Sequence, residues 1–125
     1  MSRALSIFAA SNLVMGTTLA LVAATPAAAP AIRLFLWALP DQDPLTADQP
    51  MLRWILGIAG GVWAGWGATL WAQARGAGPV PALMQGLVLW CALDSLASAV
   101  NGAALNVAIN LSWVALGALA ARRAG

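Results

Sequence analysis

The sequence is poor in charge and lacks four residue types altogether. Of its 125 residues only 8% are charged and 62% are hydrophobic, and histidine, glutamate, lysine and tyrosine are absent. A soluble domain of ordinary composition carries about a quarter charged residues and about half apolar ones. Six arginines and four aspartates are too few to keep a globule of this size in water. The composition therefore favours a membrane protein over a soluble one.

The missing histidines and the single cysteine exclude whole classes of site. Without histidine the chain cannot build a His-ligated metal or haem site, or pair histidine with a nucleophilic serine or cysteine. Cys91 is the only cysteine, so no disulfide forms within the chain. The arginines are scattered rather than gathered in a phosphate-binding stripe. We therefore expect no metal, no cofactor, no nucleic-acid partner and no enzymatic activity.

Runs without charge predict four membrane-spanning helices. Residues 4–24 and 54–74 contain no charged side chain, and residues 76–121 contain only Asp94. About 20 apolar residues cross a hydrocarbon core of about 30 Å, so the third run fits two spans with a turn at Asn101-Gly102. The sequence therefore predicts an all-α integral membrane protein that forms one domain over residues 1–125. Its four helices, arranged as an up-down bundle, are expected at 4–24, 51–74, 80–101 and 103–122.

The first run also resembles a signal peptide. Arg3 precedes it, and small residues at 23–29 follow it, as in a cleavage region. The run is longer than the usual apolar region of about 7–15 residues in a signal peptide. We therefore expect a transmembrane helix that is retained.

The distribution of arginine predicts the orientation in the membrane. With four spans, both termini and the 75–79 loop share one side, which carries four arginines and no acid: Arg3, Arg75, Arg122 and Arg123. The other side carries two arginines and three aspartates: Arg33, Arg53, Asp41, Asp43 and Asp48. Because basic residues are in excess in cytoplasmic loops, both termini are expected in the cytoplasm.

The segment between the first two spans divides into two parts. Residues 31–39 are apolar but too few to cross a bilayer, and predict a short interfacial helix with Trp37 at headgroup depth and Arg33 in water. Residues 40–50 are polar and rich in proline, as expected of a solvated extracytoplasmic loop.

Small residues recur along one side of the second span. Gly57, Gly61 and Gly65 are spaced four apart, and further small residues lie beside them at Gly60, Ala64 and Ala68. At about 100° per residue these six positions form one smooth groove. Such grooves let helix backbones approach closely in lipid, so we expect a helix contact, either within the chain or with another protein.

Trp63 and Trp66 lie on the opposite side of the same helix. Tryptophan usually favours the membrane interfaces, whereas these two fall near mid-span. Packing within the chain or against lipid is one explanation, and the indole N–H then needs a partner. A surface for a partner subunit, or for a flat hydrophobic ligand such as a quinone or carotenoid, is the other.

Asp94 is the one ionisable side chain well inside a predicted span. Ser98 follows it on the same helical face, and Asn106 and Asn110 form a similar stripe on the last helix. A turn at residues 101–103 predicts the pairs Asp94–Asn110 and Ser98–Asn106. Intramembrane acids are costly and mark a site by default. Structural hydrogen bonding, proton or cation coupling, and contact with a partner all remain open.

Three segments carry a resemblance. Residues 60–71, 90–98 and 106–110 are similar to those of small uncharacterised four-helix inner-membrane proteins of bacteria, for which no activity is established. The resemblance implies a bacterial inner-membrane location and no function.

The leading functional hypothesis is a small, non-catalytic packing or accessory subunit in the lipid bilayer. It would assemble with itself or with a larger membrane complex. The alternative is a small proton- or cation-coupled transporter or channel that uses Asp94.

Overall fold

The computed structural model describes residues 3–37 and 49–124, and this part of the chain is helical and contains no strand. The five helices are α1 (Arg3–Ala23), α2 (Ala28–Trp37), α3 (Pro50–Ala74), α4 (Pro79–Val100) and α5 (Ala104–Ala124). Four of them, α1, α3, α4 and α5, are long and apolar enough to cross a membrane. The prediction of four such helices is confirmed, and they suggest a multi-pass membrane protein. Their ends lie within two residues of the predicted bounds.

Proline and glycine define the ends of the central helices. Pro50 and Pro79 occupy the first turns of α3 and α4, where the missing N–H costs nothing. Both helices end before a glycine in the left-handed conformation, Gly76 with φ 88° and Gly102 with φ 81°. After Gly102, the N–H of Ala103 donates to the carbonyl of Ser98 at 2.8 Å, which completes a Schellman cap. The predicted turn at Asn101-Gly102 is confirmed.

The four long helices are arranged as an open row. The central helix α3 packs against α1 on one side and α4 on the other, and α1 meets α4 along a smaller contact. Among the described elements, α5 contacts only α4. The row therefore ends with α1 and α5, and the outward faces of these two helices are left uncovered by the rest of the chain.

The short helix α2 packs on the beginning of α3. Its Ala28 and Ile32 are buried against Leu52 and Leu56, while Arg33 is exposed. The sequence predicts a short helix over 31–39, and the observed helix begins three residues earlier, with Pro30 tolerated in its first turn. The polar loop with Asp41, Asp43 and Asp48 lies outside the described residues.

The interior of the row is built from small side chains. The most deeply buried residues are alanines such as Ala9, Ala64 and Ala97, together with Ser98. Large apolar side chains point outward instead, as on α5, where Leu105, Ile109, Leu111, Trp113, Leu116 and Leu119 are exposed. In lipid, close backbone approach rather than burial of large side chains holds helices together, and this pattern fits that environment.

Candidate functional site

Glycine brings α1 and α3 into backbone contact. A Cβ at Gly60 would lie 2.5 Å from the nitrogen of Ala20 and 2.9 Å from the carbonyl oxygen of Gly16. A Cβ at Gly16 would in turn meet the backbone of Ala64, and one at Gly67 the backbone of Leu13. No side chain larger than hydrogen fits at these three glycines without separating the helices.

A second face of α3 receives α4. A Cβ at Gly57 would meet the side chain of Ala97, and one at Gly65 would lie 2.6 Å from the carbonyl oxygen of Gly86. At Gly61 the nearest atoms, from Trp90 and Asp94, are 3.3 Å away. The glycines predicted to form a helix contact therefore pack against a helix of the same chain.

The small residues of α3 that were predicted to form a single groove lie on two different faces of the helix. Gly57, Gly61 and Gly65 face α4, whereas Gly60 and Ala64 face α1. The reason is geometric, because the six small positions spread over more of the helix surface than one neighbouring helix covers. Gly67 also belongs to the α1 face and lies seven residues after Gly60, a spacing that was visible in the sequence.

Trp63 and Trp66 lie beside α1 and are partly exposed. Trp63 donates its indole N–H to Oδ1 of Asn12, and Nδ2 of Asn12 donates to the carbonyl oxygen of Phe8 at 2.7 Å. The ring of Trp66 meets that of Phe8 edge-on, with centroids 5.7 Å apart. The indole partner that Trp63 requires is thus an amide in the middle of α1. Binding of a quinone or carotenoid at these rings stays a prediction.

Asp94 stands in a hydrogen-bonded cluster of four side chains, which we call the polar cluster. Its carboxylate Oδ1 accepts hydrogen bonds from Oγ of Ser98 at 3.0 Å and from Nδ2 of Asn106 at 2.8 Å. Ser98 Oγ in turn accepts from Asn106 at 2.9 Å and from the indole Nε1 of Trp54 at 2.9 Å. The polar cluster therefore ties together α3, α4 and α5 at the end of the row where α4 turns into α5.

Of the two side-chain pairs predicted between α4 and α5, one is observed and the other is wrong. The Ser98–Asn106 contact is present, but Asp94 is bonded to Asn106 and not to Asn110. Asn110 donates instead to Ser95 at 3.2 Å. Asp94 and Ser98 lie one turn apart on the same face of α4, so the amide of Asn106 reaches both of them, while Asn110 reaches the adjacent Ser95.

Two members of these networks were not anticipated as hydrogen-bonding groups. They are Trp54 of α3 and Asn12 of α1. Each meets a partner more than 40 positions away in sequence, Ser98 and Trp63 respectively. Such pairings depend on how two helices are shifted along each other, which local patterns do not specify.

The polar cluster can hold a carboxylate inside a candidate span and hold three helices together. Asp94 is only 3% exposed, and every described partner of its carboxylate is a donor. Within residues 3–37 and 49–124, no group of three or more histidine, cysteine or acidic residues could hold a metal ion. Cys91 lies one turn before Asp94, is buried and is a free thiol.

Comparison with known proteins gave no match to this chain among protein-family models, curated proteins or solved structures.

Proposed function

We propose that the protein is a small, non-catalytic packing subunit of a bacterial inner membrane. Its four long helices would span the bilayer in up-down order with both termini in the cytoplasm. It would assemble with itself or with a larger membrane complex through the uncovered face of α1.

A groove on the outward face of α1 supports this proposal most. Ala10, Ser11, Val14, Met15 and Thr18 line it. The hydroxyl-bearing residues Ser11 and Thr18 are exposed on this face although they lie within a candidate span. Small residues and outward hydroxyls favour helix association in lipid, because backbones approach closely and hydroxyls bond across the contact.

The spacing along this face matches that of a left-handed helix pair. Ala4, Ser11 and Thr18 are seven residues apart, and a second exposed series follows three residues behind each of them: Ile7, Val14 and Leu21. Alternating steps of three and four are the repeat by which two helices pack along a continuous seam. The face of α1 with Ala9, Gly16 and Ala20 already packs within the row, where these residues are buried.

The double substitution Ser11→Leu with Thr18→Leu should dissociate the assembly. Large side chains would fill the groove and remove both hydroxyls, and a loss of about 1–2 kcal/mol per interhelical contact weakens association roughly tenfold or more. The particle mass in mild detergent, by light scattering, measures the effect. The matched control is Ser112→Leu, which makes the same change at an exposed position of α5. A wild-type protein that is a single chain without co-purifying partners, or a double variant of unchanged mass, would contradict the proposal.

The second candidate is a small proton- or cation-coupled transporter or channel. The observation that favours it is Asp94, which is nearly fully buried inside a candidate span. Acids at such positions often belong to proton or ion pathways. A role in transport predicts that Asp94→Asn abolishes uptake, whereas a purely structural role of the polar cluster predicts no uptake to abolish.

A further inference from the structure

An apolar crevice separates α4 and α5 near the end of the row away from their shared turn. Its volume is about 410 Å³, and its walls include Val80, Leu83 and Leu87 of α4 and Ala120 and Ala121 of α5. The helices touch at Gly117, where a Cβ would lie 2.5 Å from Cδ2 of Leu87. Beyond that point the small side chains of Ala120 and Ala121 leave the space open.

Basic residues follow the lining residues at this end of the crevice along the chain. Arg122 and Arg123 follow its last lining residue directly and are exposed in the last turn of α5. Arg75 is the C-cap of α3, five residues before Val80 on the opposite wall. The one acidic residue of the described chain, Asp94, lies in the polar cluster toward the other end of α4. The charge of these arginines is therefore not neutralised nearby by a described acid.

We propose that the crevice binds one acyl chain of an anionic phospholipid, with the lipid phosphate on Arg122 and Arg123. The guanidinium group matches phosphate geometry, and basic sites between helices at the cytoplasmic side are suited to anionic headgroups. The crevice runs from Val80 to Leu87, about 10 Å along the helix, which is most of one leaflet of a core of about 30 Å. The inference depends on insertion in a membrane and is independent of the packing role of α1.

The direct test compares two lipids with identical acyl chains on the delipidated protein. Native mass spectrometry in neutral detergent measures the bound fractions of phosphatidylglycerol and phosphatidylcholine at equal concentrations. Two arginines at an anionic headgroup predict a preference for phosphatidylglycerol of roughly 30-fold. The double variant Arg122→Gln with Arg123→Gln should lose that preference. Arg33→Gln, an exposed arginine of α2, is the matched control and should keep it.

A second pair of variants tests the crevice itself while leaving every charge in place. Ala120→Leu fills the crevice and should reduce phosphatidylglycerol binding, whereas Ala115→Leu makes the same change at an exposed position that does not line it. Glycerol phosphate without acyl chains should not compete. Equal binding of the two lipids by the wild type, equal effects of the two leucine variants, or full competition by glycerol phosphate would overturn the proposal.

Discussion

Replacing Gly60 by alanine should destabilise the protein by about 1–3 kcal/mol, the usual cost of overpacking an interior. The added Cβ would lie 2.5 Å from the backbone nitrogen of Ala20 and 2.9 Å from the carbonyl oxygen of Gly16. Backbone atoms cannot rotate aside as a side chain does, so α1 and α3 must separate. Alanine is a better helix former than glycine by about 1 kcal/mol, so helix propensity alone predicts that the substitution stabilises the protein. Unfolding in detergent, followed by circular dichroism, measures the difference.

The neighbouring Gly61→Ala is the matched control. It has the same gain in helix propensity, but its Cβ would lie 3.3 Å from its nearest neighbours, which are the backbone nitrogen of Asp94 and the ring and carbonyl oxygen of Trp90. Small shifts accommodate such a contact, so Gly61→Ala should cost clearly less than Gly60→Ala. If the two variants were equally stable, α1 would not pack on α3 as closely as the structure indicates.

Asp94→Leu should destabilise the protein strongly because it removes the acceptor of the buried Ser98 hydroxyl and one of the two acceptors of the Asn106 amide. Both Ser98 and Asn106 donate to the carboxylate, and an unsatisfied buried polar group costs about 1–3 kcal/mol. Asp94→Asn retains one oxygen acceptor and should cost much less. Unfolding in detergent measures both.

A double-mutant cycle then identifies the partner of Asp94. Asp94→Leu and Asn106→Leu should couple, with a combined loss smaller than the sum of the single losses, because they remove two ends of one hydrogen bond. Asp94→Leu and Asn110→Leu should be close to additive, since Asn110 is bonded to Ser95. Coupling to Asn110 in place of Asn106 would contradict the observed alignment of α4 and α5.

The substitution Asp94→Asn separates a structural role of Asp94 from a role in transport. If Asp94 couples a proton or cation, Asp94→Asn should abolish proton- or cation-dependent uptake by reconstituted vesicles while the protein stays folded. If Asp94 has only a structural role, the wild-type protein shows no such uptake. The matched control is Ser95→Ala, on the same helix and outside the four side chains of the polar cluster.

The helices could be predicted from the sequence because charge and turn residues determine them locally. Charged residues bound the apolar runs, and Gly102 is suited to the left-handed position that ends α4. The neighbours of each face could not be predicted in the same way. Periodicity shows that Gly57 and Gly60 are small positions of one helix, but it does not say that α4 covers the first and α1 the second.

Side-chain partners were the least predictable feature of the site. Asn106 and Asn110 lie one turn apart on the same face of α5, and nothing local in the sequence tells which of them bonds to Asp94. The contacts Trp54–Ser98 and Trp63–Asn12 join separate helices and follow only from their relative placement. The small outward residues of α1 were visible in the sequence, yet their exposure became evident only when the other faces of α1 were seen to be covered.

The central claim is that the four long helices cross a bilayer in alternating directions with the arginine-rich end in the cytoplasm. Its most direct measurement is thiol labelling of single cysteines in a Cys91→Ser background, with a membrane-impermeant maleimide on intact spheroplasts. The two test sites, Ala104→Cys at the start of α5 and Gln73→Cys in the last turn of α3, are both exposed positions. With this orientation, Ala104→Cys is labelled in intact spheroplasts and Gln73→Cys only after lysis. Labelling of both sites before lysis, or of Gln73→Cys alone, would contradict it.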